Sequence, residues 1–204
     1  MKNYIMVNGK QIPLTEEQIR EIVGAYEQKQ LRLSDVSEGE MFKISDREFI
    51  VLGHFEDETA VISKDILETM PFGNSNNFNE SAVDDFCESL AEDIANTVGK
   101  RNLVLHTVNL TSDDGMNDYG RIQRRISLLT ADQYRTYVDI LDKHKPDVWW
   151  LATPFSTARH ENDLWVKCVS PSGSSFLDHL CNNDNNGVRP FLILKSSIFE
   201  SSEE

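Results

Sequence analysis

The apolar residues of this chain fall into short runs bounded by turn-forming residues, and this pattern constrains the fold more than any other feature. Runs such as 49–52, 59–62 and 148–152 hold only apolar or β-branched residues. Segments of this length, rich in Val, Ile, Phe and Trp, are typical of strands. The pattern predicts an α+β domain with strands over 41–44, 48–52, 59–63, 103–108, 125–130, 148–152, 164–169 and 188–194.

One longer segment has helical periodicity instead. Apolar residues recur at positions 83, 86, 90, 94 and 98, Asn79 or Ser81 precedes them as an N-cap, and Gly99 follows. Because residues three and four apart share a helix face, this spacing predicts an amphipathic helix with a buried apolar stripe. The intervening acidic residues are predicted on the opposite, solvated face: Asp84, Asp85, Glu88 and Glu92. A second helix of about ten residues is predicted from Ala131.

The first 36 residues have the pattern of a separate hairpin and helix. Asn8-Gly9 lies between two apolar-leaning runs, and this dipeptide favours a tight hairpin because both turn positions take positive φ. Thr15 and Gln18 match a capping box, in which each side chain accepts from the other residue's backbone N–H. We therefore predict a hairpin-helix appendage over 1–36, a main α+β domain over 37–199 and a flexible acidic tail over 200–204.

Acidic residues outnumber basic residues and are concentrated in one stretch. The 204 residues include 34 Asp+Glu against 20 Lys+Arg, which gives a formal net charge of −14. No Lys or Arg occurs between Lys64 and Lys100. A passive DNA or RNA binder needs a positive surface, so this composition excludes direct nucleic-acid binding. The acidic stretch is either a solvated face that keeps the protein in solution or a contact for a positively charged partner.

Several further classes are excluded by missing signals. No apolar run approaches the ~18 residues of a membrane helix, and the polar N-terminal stretch lacks a secretory signal. Three widely spaced cysteines form no disulfide pattern, which fits a reducing cytoplasm. Phosphate-loop, nucleophile-elbow and zinc-protease motifs do not occur. We therefore predict a cytoplasmic protein without enzymatic activity, cofactor or metal.

Two weaker signals for chemistry lie in loops. His179 and Cys181 are close enough in sequence for an activated thiol, but an ordinary loop cysteine is the preferred interpretation. Oxygen ligands for calcium occur at Asp113, Asp114 and Asp118 and again over 182–186, without the alternating spacing and bidentate Glu of a calcium loop. Asn, Asp and Gly also favour turns, and we interpret both stretches as turns.

The last third of the chain contains the most aromatic strands and a bulky polar loop. Trp149, Trp150 and Trp165 are predicted to be core residues, and Arg189 is predicted to bond neighbouring carbonyls. The loop over 155–163 follows a rigid strand, which is where binding residues are usually presented. We predict partner contacts in this loop, in addition to the four helix acids, at Arg159, His160, Asn162 and Asp163.

Two motifs in this region carry a family resemblance. Trp149 to Pro154 reads Trp-Trp-Leu-Ala-Thr-Pro, and Gly187 to Pro190 reads Gly-Val-Arg-Pro about 30 residues later. With the surrounding strands, residues 37–195 resemble a domain of unknown function common in Firmicutes and their phages. That domain is similar to the formylglycine-generating-enzyme branch of the C-type-lectin-like fold. The resemblance implies a lectin-like arrangement of short strands with two helices, and it implies no activity.

The chain departs from this family at positions that matter for chemistry. Members often carry Arg where Ala152 stands and an Asp where Arg124 stands. The formylglycine-generating enzymes use a closely spaced cysteine pair, whereas Cys168 and Cys181 are too far apart in sequence to match it. That chemistry is therefore not transferred to this chain.

Three functions remain open at this stage. The first is a non-enzymatic protein-binding module encoded by a phage or mobile element, acting as an acidic inhibitor of a host nucleic-acid-handling defence protein, in the manner of an anti-CRISPR protein. Its partner would offer a basic groove to the acidic helix, and the appendage over 1–36 would add a homodimer contact or a second binding surface. The alternative is a carbohydrate- or small-ligand-binding lectin-like domain. The third is a degenerate enzyme of the formylglycine-generating group.

Overall fold

The structure, a computed structural model, describes residues 4–7, 9–27, 31–172 and 176–200. These residues form a mixed α+β fold dominated by strands, as the apolar runs predict. Within these ranges, no helix combines the length and the apolar character that crossing a bilayer requires. The helices are α1 (Glu16–Glu27), α2 (Ala82–Val98), α3 (Ala131–Thr136) and α4 (Val138–Leu141). The strands are β1 (Tyr4–Val7), β2 (Lys10–Pro13), β3 (Met41–Ile44), β4 (Arg47–Phe55), β5 (Glu58–Ser63), β6 (Glu68–Thr69), β7 (Leu103–Val104), β8 (His106–Asn109), β9 (Arg121–Arg124), β10 (Ile126–Ser127), β11 (Trp149–Pro154), β12 (Trp165–Val169), β13 (Phe176–Leu180), β14 (Gly187–Val188) and β15 (Phe191–Lys195).

The central sheet separates two apolar cores. Its strands lie in the order β10-β15-β5-β4-β3, with β7 also paired to β15, and all of these pairs are antiparallel. Alternation along β4 places Phe49 and Val51 in the first core and Ile50 and Leu52 in the second. The first core also contains the apolar stripe of α2, and the second contains apolar residues of α3 and α4. These helices therefore lie on opposite faces of the central sheet.

A second sheet lies beside the first in the order β13-β12-β11-β14-β6. β11 belongs to both cores, because Trp150 packs in the first core and Trp149 in the second. The predicted burial of these two residues is confirmed. Arg189 is also buried, and its Nε donates to the Ser63 carbonyl at 2.7 Å, as predicted.

The edge strand β13 is missing from the sequence prediction, and it changes the role of Trp165. In the antiparallel pair of β12 and β13, Trp165 lies directly opposite Leu180. Each of these two residues remains 39% exposed. The prediction that Trp165 is a core residue is therefore wrong. The two side chains form an exposed apolar pair at the end of the second sheet.

The N-terminal hairpin and the start of α1 form as predicted. β1 and β2 pair across Gly9, whose φ is 77°. The capping box is present, because the Thr15 N–H donates to Gln18 Oε1 at 3.0 Å and the Gln18 N–H donates to Thr15 Oγ1 at 3.2 Å. Leu33 and Val36 pack in the first core, so residues 33–36 associate with the main domain. Glu200 accepts from the Lys43 N–H at 3.0 Å, and residues 201–204 lie outside the described ranges.

Three predicted strands and one predicted helix are interrupted. The predicted strand over 188–194 is split, because Pro190 has no N–H to donate; β14 joins the second sheet and β15 the central sheet. The segment 103–108 divides at the exposed Leu105 into β7 and β8, and 125–130 contains only the short β10. The helix from Ala131 stops at Tyr137, whose ψ of 13° ends α3 before α4 begins.

Candidate functional site

Helix α2 presents a row of exposed acidic side chains. Ser81 caps the helix by accepting from the Asp84 N–H at 3.0 Å, and Gly99 ends it with a φ of 86°. Val83, Cys87, Leu90 and Ile94 are buried on the inner face, while the outer face carries three exposed acids. We call the row Asp85, Glu88 and Glu92 the acidic ridge.

Asp84 does not belong to this ridge, although the helical periodicity predicts it on the solvated face. Its side chain is only 5% exposed, because it packs against Arg124 of β9. Arg124 Nε and Nη2 donate to the Asp84 carboxylate at distances of 2.6 to 3.1 Å. This hydrogen bonding raises the pKa of Arg124. Asp84 is therefore a structural anchor of α2 and is inaccessible to a partner.

Arg124 also touches one end of the ridge. Its Nε lies 3.5 Å from Glu88 Oε1, so a residue distant in sequence supplies a counter-ion to Glu88. Within the described parts of the chain, Asp85 and Glu92 have no ion-pair partner. Asp93, one residue beyond the ridge, is bound by Arg47 at 2.6 Å. The ridge therefore keeps most of its negative charge facing solvent.

Two clefts flank α2, and Glu88 and Glu92 of the acidic ridge line the second of them. A cleft of about 700 Å³ lies on the side of α2 that carries Phe86 and Asp93, and it extends to the β3–β4 turn. A second cleft of about 520 Å³ lies on the side that carries Ala91 and Ala95 and extends to β9 and β10. The first cleft also carries Lys43 and Arg47, and the second carries Lys100, Arg124 and Arg125. Basic side chains therefore border α2 on both sides, while the acidic ridge itself remains exposed.

The loop after β11, residues 155–163, is held from inside by one buried asparagine. Asn76 Nδ2 donates to the carbonyls of Ser156 and Trp165 at 2.9 Å each and to that of Asn162 at 3.4 Å. Its Oδ1 accepts from the Tyr119 hydroxyl at 2.8 Å, and its N–H donates to the Asp163 carbonyl at 2.7 Å. Asn76 satisfies backbone carbonyls on both arms of this loop, which we call the anchored loop.

Two aspartates of the loop over 111–120 hold the anchored loop from the other side. Asp114 accepts from the Ser112 hydroxyl at 2.5 Å, from the Ser156 hydroxyl at 2.6 Å and from His160 Nδ1 at 2.9 Å. Asp118 accepts from the Thr157 hydroxyl at 2.6 Å and pairs with Arg159. The hydrogen bonds from Ser112 and Ser156 lower the pKa of Asp114 far below its ordinary range. Both carboxylates are therefore committed to loop structure.

The four predicted contact residues of the anchored loop lie together, but they are not equally available. Arg159 and His160 are largely exposed, with side chains 64% and 48% accessible. Asn162 and Asp163 are partly buried, and their backbone carbonyls bind Asn76. The first two can contact a partner, whereas the second two mainly serve the fold of the loop.

Three aspartates were considered as calcium ligands from the sequence: Asp113, Asp114 and Asp118. In the structure, each of them interacts with different hydrogen-bond donors of the protein. Asp113 lies 3.2 Å from the Lys167 ammonium, whose side chain is 8% exposed and which also pairs with Asp178 at 2.9 Å. Asp114 and Asp118 bind the hydroxyls and cations described above. Among the described residues, no group of three His, Cys, Asp or Glu side chains is arranged to hold a metal ion.

Ser156, His160 and Asp114 are close together without the geometry of a catalytic triad. In a triad, the two ring nitrogens of His bridge Ser and Asp. Here Ser156 Oγ lies 3.4 Å from Nδ1, the same nitrogen that faces Asp114, and Ser156 is 2% exposed. Cys168 and Cys181 are buried, and this burial raises the pKa of Cys168 to about 12 and that of Cys181 as well. These thiols are therefore poor nucleophiles.

Two features of this region were not predicted from the sequence: the role of Asn76 and the exposed pair of Trp165 and Leu180. Asn76 belongs to an Asn-rich loop that reads as an ordinary turn, and only its burial and four partners distinguish it from its neighbours. The exposed pair of Trp165 and Leu180 depends on β13, whose residues carry few strand signals.

Comparison with known proteins gives no identification. A scan against family models, a search of curated proteins and a search of solved structures each found no match. The residues and geometry described above therefore carry the functional argument.

Proposed function

We propose that this protein is a non-enzymatic, acidic protein-binding module, and that the acidic ridge of α2 is its principal contact. The observation that carries the proposal is the exposure of Asp85, Glu88 and Glu92 in one row on α2. Like charges at spacings of three and four residues cost an isolated helix a few tenths of a kcal/mol per pair. Basic side chains in the groove of a partner would attract all three carboxylates and offset the repulsion among them.

The charge distribution favours a basic partner. The ridge lies in the middle of a stretch, 65–99, that contains no Lys or Arg. An exposed row of acidic side chains attracts an oppositely charged protein and accelerates their encounter. Basic grooves are typical of proteins that hold nucleic-acid phosphates, so occupation by the ridge would exclude nucleic acid. The proposed role is inhibition of a nucleic-acid-handling defence protein in a bacterial cytoplasm, and the resemblance to a phage-borne domain supports that setting.

The ridge is supported rigidly, which favours binding. α2 is attached to the first core by its apolar stripe and to β9 by the buried pair of Asp84 and Arg124. A preorganised helix loses little conformational entropy when it binds. The partner therefore meets charges whose spacing is set before contact.

The test compares two variants that remove the same amount of charge. The ridge variant carries Asp85→Asn, Glu88→Gln and Glu92→Gln. The control variant carries Glu38→Gln, Glu56→Gln and Asp139→Asn, three exposed positions outside α2. The probe is a fluorescent nona-arginine peptide, and its affinity is measured by anisotropy over a series of salt concentrations. We expect the ridge variant to bind about fivefold more weakly than wild type at low salt, with a flatter salt dependence.

Capture from bacterial cytosol provides the second arm. We expect a nucleic-acid-binding protein to be retained by wild type and by the control variant but lost by the ridge variant. Both variants should keep the thermal stability of wild type within about 0.5 kcal/mol, because the substituted side chains are exposed. Equal weakening by both variants would show that net charge alone matters, and normal binding by the ridge variant would reject the acidic ridge as the contact.

We further infer that the main domain has a C-type-lectin-like arrangement, as the two sequence motifs imply. The central sheet and the second sheet, the parallel pairing of β11 with β14 and the loop between β11 and β12 are compatible with that arrangement. An experimental structure of this chain or of a closer relative, superimposed on lectin-like domains, tests the inference.

A further inference from the structure

The hairpin-helix unit at the N-terminus leaves several of its apolar side chains exposed. In the register of β1 with β2, Ile12 pairs with position 5, and Tyr4 and Met6 project to the face opposite to that of Ile12. Ile12 is 43% exposed and Met6 is 59% exposed, so both faces of the hairpin carry accessible apolar surface. On α1, Ile22 is 49% exposed. Of the positions in 4–27 whose burial is described, none is buried.

Such a unit is not expected to be stable by itself. A two-stranded hairpin in water is marginal without a third strand or a helix packed against it. A helix shorter than about 12 to 15 residues is also marginal, and α1 has 12. Because α1 can cover at most one face of the hairpin, the other face needs a surface from elsewhere.

Charge distinguishes this unit from the rest of the protein. Residues 1–36 contain five basic and five acidic side chains, so the whole net charge of −14 resides in residues 37–204. Two copies of the main domain repel each other, whereas two N-terminal units approach without net repulsion. An acidic or strongly basic partner would gain nothing from this neutral surface. We therefore expect the surface that covers this unit to be apolar and without net charge, like the unit itself.

We propose that the hairpin-helix unit is a homodimer contact, in which each copy covers the exposed apolar face of the other. A two-fold arrangement lets the same patch serve on both subunits, so Ile12 and Ile22 of each copy are buried reciprocally. The dimer then carries two acidic ridges on separate main domains. This inference is independent of the function proposed for the ridge.

The experiment measures the mass of the full chain by light scattering and sedimentation over a wide range of concentration. Wild type is expected to be a dimer that dissociates on dilution. Ile12→Glu and Ile22→Glu should each weaken dimerisation at least about tenfold, because each buries an unpaired carboxylate. Phe55→Glu is the matched control: Phe55 is 53% exposed on the main domain and should leave the dimer unchanged.

Hydrogen exchange of wild type gives a second measurement that needs no substitution. Amides over 9–27 should become protected as concentration rises, while the exchange of α2 stays constant. Near-ultraviolet circular dichroism of the buried tryptophans checks that each variant retains its fold. A monomer at every concentration, a dimer that survives both isoleucine substitutions, or equal dissociation by Phe55→Glu would overturn the proposal. Failure of the ridge to bind basic probes would leave this result unaffected.

Discussion

The acidic ridge and the anchored loop are both predicted binding surfaces, but their polar groups are used in opposite ways. Three of the four predicted helix acids face solvent, and only Asp84 is drawn inside. In the loop, Asp114 and Asp118 bind hydroxyl and cationic groups, and Asn76 binds the backbone. The difference shows that a polar helix face predicts an accessible surface better than a polar loop does. Most polar side chains in and around the anchored loop form hydrogen bonds that hold the loop in place.

The sharpest test of this comparison is Asn76→Ala. The substitution leaves several buried carbonyls and the Tyr119 hydroxyl without their partner, so we expect a loss of about 3 to 4 kcal/mol in the free energy of unfolding. Denaturant titration measures it. Asn74→Ala, at an exposed position of the same loop, should change stability by no more than about 0.5 kcal/mol. Equal effects of the two substitutions would show that the anchored loop is not held by Asn76.

The next largest effect is expected for adjacent acids of α2. Asp84→Ala leaves the Arg124 guanidinium without its bidentate partner and should cost about 2 to 3 kcal/mol, below the full value for a buried pair because Arg124 is 17% exposed. Asp85→Ala removes an exposed charge and should cost about 0.5 kcal/mol or less. Thermal unfolding of the two variants measures both. A similar cost for both would mean that Asp84 is as solvated as its neighbour.

The smallest effect concerns Asp114 and depends on pH. Because hydrogen bonds from Ser112 and Ser156 lower the pKa of Asp114, the ionised carboxylate stabilises the fold above its ordinary pKa of about 3.9. This contribution is lost as the pH falls below that value. Asp114→Asn should therefore cost about 1 kcal/mol at neutral pH, after allowance for a side chain that is one-third exposed.

The same substitution should cost progressively less in acid, where the wild-type carboxyl is itself protonated. Asp139→Asn, at an exposed position of α4, controls for the general acid sensitivity of the protein. Urea unfolding at a series of pH values provides the comparison. A deficit that is constant from neutral to strongly acidic pH would show that the charge of Asp114 does not stabilise the anchored loop.

Local signals predicted the elements whose determinants lie within a few residues. The Thr15–Gln18 capping box, the positive φ at Gly9 and the Ser81 and Gly99 ends of α2 depend on neighbouring residues and are confirmed. The α+β class follows equally from short apolar runs. These features do not depend on contacts with residues that are distant in the sequence.

Features that depend on distant partners were not predictable in the same way. Asp84 is buried because Arg124, 40 residues later, supplies a bidentate donor at the right position. Trp165 is exposed at the first position of β12, opposite Leu180 at the last position of β13, while the other four residues of β12 are buried. Periodicity assigns a face to each residue, but it does not show which faces another element will cover.

The position of β15 has a consequence for biosynthesis. This strand lies between β10 and β5, and its alternating side chains reach both cores, yet residues 191–195 are translated after every other strand of the central sheet. Until residues 191–195 have left the ribosome, β5 has an unpaired edge, and both cores lack the side chains that β15 contributes. The central sheet therefore cannot be completed before residues 191–195 have been translated. A nascent chain interrupted before residue 191 would be a substrate for proteases and would tend to aggregate, because its central sheet would be incomplete.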